Sequence, residues 1–95
     1  LKYPKIERYS LGQMTQAKIL ELVECVLTAS STPERSRVEI LFRASALLDL
    51  VKLQIRLGYE VQALNEKYYL TLQTKLQEIG KMLGGWIKTT TKGAR

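Results

Sequence analysis

Apolar residues recur along most of this chain at steps of three and four, the spacing that puts side chains on one face of an α-helix. The clearest stripe is Tyr69, Leu72, Leu76, Ile79, Leu83 and Trp86, a heptad-like seam suited to shallow helix–helix crossing. It predicts a helix from Asn65, its cap, to about Ile87. A second row, Ile40, Ala44, Leu47, Val51 and Ile55, is widened by Leu41, Leu48 and Leu50, and predicts a long helix from Pro33 to about Ala63. Gly58 marks a kink or an early end there, since Gly costs about 1 kcal/mol relative to Ala inside a helix. Between Gln13 and Ala29 the polar residues form the stripe, at Lys18, Glu21, Glu24 and Thr28, and nearly everything else is apolar. A helix of that kind is covered on more than one side.

The breaks are equally legible. Ser30-Ser31-Thr32-Pro33-Glu34 separates the first helix from the second, with Thr32 as N-cap, Pro33 at the first helical position and Glu34 at the positive end of the dipole. Residues 1–12 carry Pro4 and Gly12 with no clear period and read as an extended lead-in. Residues 89–95 read as a loose basic tail. No stretch alternates at period two for long enough to be a strand. The expected fold is one all-α domain over residues 1–95, an antiparallel up-and-down bundle whose short loops near residues 31 and 64 make sequential helices neighbours.

Composition narrows the chemistry. The chain has 95 residues, 45% of them hydrophobic and 25% charged, as in an ordinary globular domain. At that size only about two-thirds of the unfolded surface is buried, so self-association adds useful core. No apolar run reaches the roughly 20 residues that span a membrane, and no signal-peptide pattern opens the chain. Histidine is absent, which removes the commonest general base and most zinc and iron sites. Neither an enzymatic role nor a cofactor or metal is expected. Cys25 is the only cysteine; flanked by Val23, Val26 and Leu27 it reads as a buried thiol, and a reducing cytoplasm fits.

Fifteen Lys and Arg against nine Asp and Glu leave a net charge of +6, which favours anionic partners, nucleic acid foremost. An up-and-down topology gathers Arg35, Arg37, Lys81, Lys88, Lys92 and Arg95 at one pole, and from Lys81 onward four basic residues meet no acidic one. Such a cluster neutralises several phosphates, or else solubilises a helix C-terminus, where cations are favoured in any case. Asp49, Lys52, Arg56 and Glu60 form a row that is neutral as a whole and serves equally as a solvated face or a partner site. Gly80 and Gly84 lie four apart on one face, with Gly85 and Trp86 next to them; small residues in this arrangement admit a neighbouring helix or subunit. A phosphate loop is disfavoured, because the Walker pattern and its strand are missing. Trp86 and Tyr69 fall on the seam, whereas Tyr3, Tyr9, Tyr59 and Tyr68 are open to either core packing or base stacking.

Three segments carry a family resemblance. Leu47-Leu48-Asp49-Leu50-Val51-Lys52-Leu53-Gln54-Ile55-Arg56-Leu57 resembles the long helix of the accessory variability determinant (Avd) proteins of diversity-generating retroelements. Glu78-Ile79-Gly80-Lys81-Met82-Leu83-Gly84-Gly85-Trp86-Ile87-Lys88 resembles that family's C-terminal signature, and Tyr3-Pro4-Lys5 with Arg8-Tyr9-Ser10-Leu11-Gly12-Gln13 resembles its first interhelical loop. The loop and the ending are also similar to the four-helix-bundle proteins encoded in intervening sequences of large-subunit ribosomal RNA. The resemblance implies a four-helix bundle, a ring-like homopentamer, and binding to a reverse transcriptase and to RNA or DNA in support of mutagenic complementary-DNA synthesis. It implies basic contacts at Lys52, Arg56, Lys81 and Lys88, to which the pole adds Arg35, Arg37 and Lys92. It also implies a helix ahead of the Tyr-Pro-Lys loop, at which this chain begins, so the three helices are expected to leave a groove for a fourth helix or a neighbouring subunit. The competing expectation is a homo-oligomeric scaffold of the intervening-sequence type with protein partners only.

Overall fold

The heptad-like seam folds as its spacing predicts. In the computed structural model, Tyr69, Leu72, Ile79 and Trp86 are half-buried and Leu76 and Leu83 buried along α3, Glu66–Gly93. α1 spans Lys5–Ser31 and α2 spans Glu34–Glu60. The structure describes the backbone of residues 5–93 and the side chains of residues 10–91, and all of its regular structure is helical.

α2 lies between the other two. It packs against α1 on one flank and α3 on the other, while no α1 and α3 Cα atoms approach within 8 Å among the described residues. The shared core is centred on α2, where Leu41, Ala44, Leu48, Val51 and Ile55 meet Leu22, Cys25 and Ala29 of α1 and Leu76 and Leu83 of α3. The result is long and thin, 51 × 20 × 15 Å, with a groove between α1 and α3. Cys25 is buried in that core as its apolar neighbours predict.

Two boundaries differ from the sequence expectation by several residues. α1 is already helical at Lys5, so residues 8–13 are neither an extended lead-in nor an interhelical loop; Tyr3 and Pro4 lie outside the described residues. The stripe of α1 that is buried or half-buried runs Leu11, Thr15, Lys18, Leu22, Cys25, Ala29, and Leu11 lies toward Gly58 of α2. α3 likewise runs through Thr89, Thr90 and Thr91 to Gly93 instead of ending at Ile87. Thr90 is fully buried, seven residues after Leu83, and the hydroxyls of Thr89 and Thr91 donate to the carbonyls of Gly85 and Ile87. Local back-bonding of this kind lets Thr sit inside a helix.

The caps divide in the same way. Asn65 Oδ1 accepts from the Tyr68 amide at 2.8 Å, the expected N-cap of α3. Thr32 does not cap α2: its hydroxyl turns back to the Thr28 carbonyl, and Pro33 occupies the N-cap position with no side-chain bond. α2 ends soon after Gly58, where the Gly58 carbonyl accepts from the amides of Ala63 and Leu64. The turn requires Gln62 in the left-handed region, at φ 63°.

Candidate nucleic-acid interface

Basic side chains on two adjacent helices face one crevice. Between α2 and α3, Gly80 has no side chain of its own, and its place is taken by Leu48 and by the Lys52 ammonium; a Cβ added at Gly80 would lie 3.5 Å from Lys52 Nζ. Gly80 thus lies against α2 of the same chain. Lys81, the next residue, borders the same cleft together with Ser45, Asp49 and Gln77. Asp49 is the acidic residue lining the crevice.

From there the positive charge continues along α3. Lys67, Lys81 and Lys88 are all exposed and lie at multiples of seven residues from one another, so they share a helical face. Lys67 was not singled out from the sequence, although its heptad phase with Lys81 could have identified it. The helix carries the Lys92 backbone in the same direction; the Lys92 side chain and all of Arg95 lie outside the described residues. Arg56 is exposed on α2 and pairs with Glu60 at 3.3 Å, an i,i+4 ion pair open to solvent and therefore of little energetic weight.

The two arginines near the start of α2 separate. Arg35 is exposed. Arg37 is half-buried: its Nε donates to the Ala29 carbonyl at 2.9 Å and its Nη2 to the Thr32 carbonyl at 3.0 Å. Its guanidinium also stands 5.6 Å from the centre of the Trp86 ring. It satisfies the C-terminal carbonyls of α1, a favourable place for a cation, and joins all three helices. Its Nε and Nη2 are bonded inside the fold, so the pole does not present Arg35 and Arg37 as an equivalent pair. Trp86 is half-buried under this cation. Gly84 and Gly85 meet nothing within 4 Å of an added Cβ and face open surface.

The groove has a different character. At one end α1, α2 and α3 enclose a cavity of about 530 Å³, lined by Leu11, Ile19, Ile55, Leu64 and Leu72, with Gln54 and Tyr68 at its wall. Gln54 is 7% exposed, and its Oε1 finds no hydrogen-bond partner among the described residues. Tyr59 stacks on Tyr69, with ring centroids 4.5 Å apart, and is occupied in packing, whereas Tyr68 is mostly exposed. Tyr3 and Tyr9 have no described side chains.

The fold and the crevice define a class: an all-α protein whose surplus positive charge is concentrated along one pair of helices, away from its groove. The chain belongs to the bAvd-like family, whose model matches residues 1–90. No curated protein and no solved structure matches it. Membership supports a non-catalytic, accessory role in a retroelement setting. Among the described residues no helix is long and apolar enough to cross a membrane.

Proposed function

We propose that this chain is an accessory subunit of a diversity-generating retroelement that assembles with copies of itself, engages the reverse transcriptase, and holds template RNA or its complementary DNA against the α2–α3 basic crevice. The single observation that carries the nucleic-acid part is the alignment of Lys67, Lys81 and Lys88 on one exposed face of α3, with Lys52 entering from α2 over Gly80. A rigid row of ammonium groups meets a polyanion as one surface and displaces its counterions together. Lys92 extends that row, and Arg56 lies beside it.

The helices run antiparallel in this reading. Arg37 with Trp86, Leu48 with Gly80, and Tyr59 with Tyr69 give the α2–α3 pairing that supports it. A further helix laid in the groove would complete a four-helix bundle, cover Ile19, Val23, Leu27 and Met82, and bring a donor to Gln54 Oε1; a ring of five such bundles is the assembly the resemblance implies.

Binding of fluorescently labelled template RNA, titrated with salt, tests the crevice. Four ammonium–phosphate contacts on a single strand give a log–log salt slope of about −2.8, so affinity falls about 50-fold between 50 and 200 mM salt. The K81Q/K88Q variant should lower the magnitude of that slope by about 1.4. Unchanged affinity and slope in the variant would refute the crevice and leave the scaffold reading, with protein partners only.

A further inference from the structure

The lysines of α3 belong to a longer exposed row. Leu70, Thr74 and Gln77 fill the interval between Lys67 and Lys81 at steps of three and four, and all three are exposed. Gly84 stands in the same phase between Lys81 and Lys88 and is also exposed. The row contains neither an acidic residue nor an aromatic one. At about 1.5 Å of rise per residue, Lys67 to Lys88 extends about 31 Å along one continuous helix. Lys52 adds a fourth ammonium beside Gly80.

The described aromatic rings lie elsewhere. Tyr59 and Tyr69 stack on each other, and Trp86 is half-buried beneath the Arg37 guanidinium. Tyr68 lines the groove cavity. Phe42 is exposed but sits on α2, about 15 Å along the helix axis from Lys52. Proteins that hold unpaired strands combine a basic track with rings on which successive bases stack. Among the described residues the lysine row has the track and not the rings.

A surface that meets phosphates alone favours the polyanion with the denser charge. Each ammonium–phosphate contact releases about 0.9 counterion from a duplex and about 0.7 from a single strand. A duplex also arrives with its phosphates already fixed in space, whereas a flexible strand must first be ordered along the helix. We infer that the lysine row of α3 takes base-paired nucleic acid in preference to an unpaired strand, and holds it by the backbone. This rests on the crevice reading and adds to it the strandedness of the ligand.

Fluorescence anisotropy with three probes tests it: a DNA strand of about 20 nucleotides, which outspans the row, its DNA duplex, and its hybrid with complementary RNA. Four contacts give log–log salt slopes of about −3.6 for the duplex and about −2.8 for the strand. From equal affinity at about 1 M salt, that difference makes the duplex about six-fold tighter at about 100 mM. The hybrid should likewise bind more tightly than the strand. Phe42→Ala and Tyr68→Ala, with circular dichroism confirming intact helices, should leave strand affinity unchanged. A strand that binds as tightly as the duplex and the hybrid, or that loses affinity in either of these variants, would overturn the preference. The K81Q/K88Q variant separates the two readings. If it still weakens binding in those cases, the crevice stands and the preference alone falls; if it changes the binding of no probe, both fall.

Discussion

Replacing Arg37 with Ala removes a junction on which all three helices depend, and the loss can be estimated from its contacts. The guanidinium makes two charge-assisted hydrogen bonds, at 2.9 Å to the Ala29 carbonyl and 3.0 Å to the Thr32 carbonyl. Bonds of this kind contribute about 1.5–3 kcal/mol when desolvated. Arg37 is only half-buried, so water reaches part of the site and the pair together is worth about 2 kcal/mol, the low end of that range discounted for solvent. Its position 5.6 Å from the Trp86 ring centre adds about 0.5 kcal/mol at this exposure. The expected destabilisation is therefore about 2–3 kcal/mol, or a fall in Tm of roughly 8–24 °C at 4–8 °C per kcal/mol for a domain of this size. Thermal melts followed by circular dichroism measure it directly. Arg37→Lys keeps the charge but loses the fork, and should fall between the parent and the Ala variant. A double-mutant cycle with Trp86→Leu should return a coupling of about 0.5 kcal/mol. An Arg37→Ala variant that melts within about 2 °C of the parent would refute the reasoning, and would return the guanidinium to the solvent-facing set available to phosphate.

Two helix-end substitutions test the caps with opposite signs. Asn65→Ala removes the 2.8 Å bond to the Tyr68 amide and should destabilise the chain by about 1 kcal/mol in urea unfolding, with an unchanged m-value. Gln62→Gly relieves the left-handed conformation at φ 63°, where a side chain is strained and Gly is not, and should stabilise the chain by about 0.5–1 kcal/mol in the same assay.

The legible part of the fold was the part set by long apolar periodicity. The Tyr69–Trp86 seam needed no tertiary information, because every third or fourth position is large and apolar. The Asn65 cap was also readable, since its side chain acts on its own helix. What escapes the pattern lies at helix ends. The first turns of α1, from Lys5 to Gly12, have no clear period and carry a glycine, so they read as a lead-in, yet Thr15 donates to the Leu11 carbonyl and Leu11 lies toward Gly58 of α2. The end of α3 passes through Thr90, which is fully buried; there polarity reads as exposure, and the expected helix stops short. At the candidate interface the lysines could be placed from helical phase alone. Arg37 could not, because its partners are backbone carbonyls across a turn, which leave no mark in the pattern of side chains.

The same distinction explains how one short chain keeps its charges and its apolar surfaces apart. Each of α1 and α2 carries an inner row that closes the core and an outer row that does not: Leu20, Val23 and Leu27 on α1, and Phe42, Leu53 and Leu57 on α2, all mostly or substantially exposed. A lone domain of this length that left both outer rows in water would forgo hydrophobic stabilisation it can ill spare. The basic excess, in contrast, lies along α3 and its crevice with α2, where Gly84 and Gly85 leave the helix surface bare of side chains. A polyanion lying on α3 and a protein surface covering α2 from behind therefore meet only at Asp49, which lines the crevice, and at Arg56, which pairs with Glu60. Assembly and nucleic-acid binding can proceed together on this architecture, because Lys67, Lys81 and Lys88 lie on α3, and Lys52, the crevice lysine on α2, stands over Gly80 of α3 and away from the exposed Phe42.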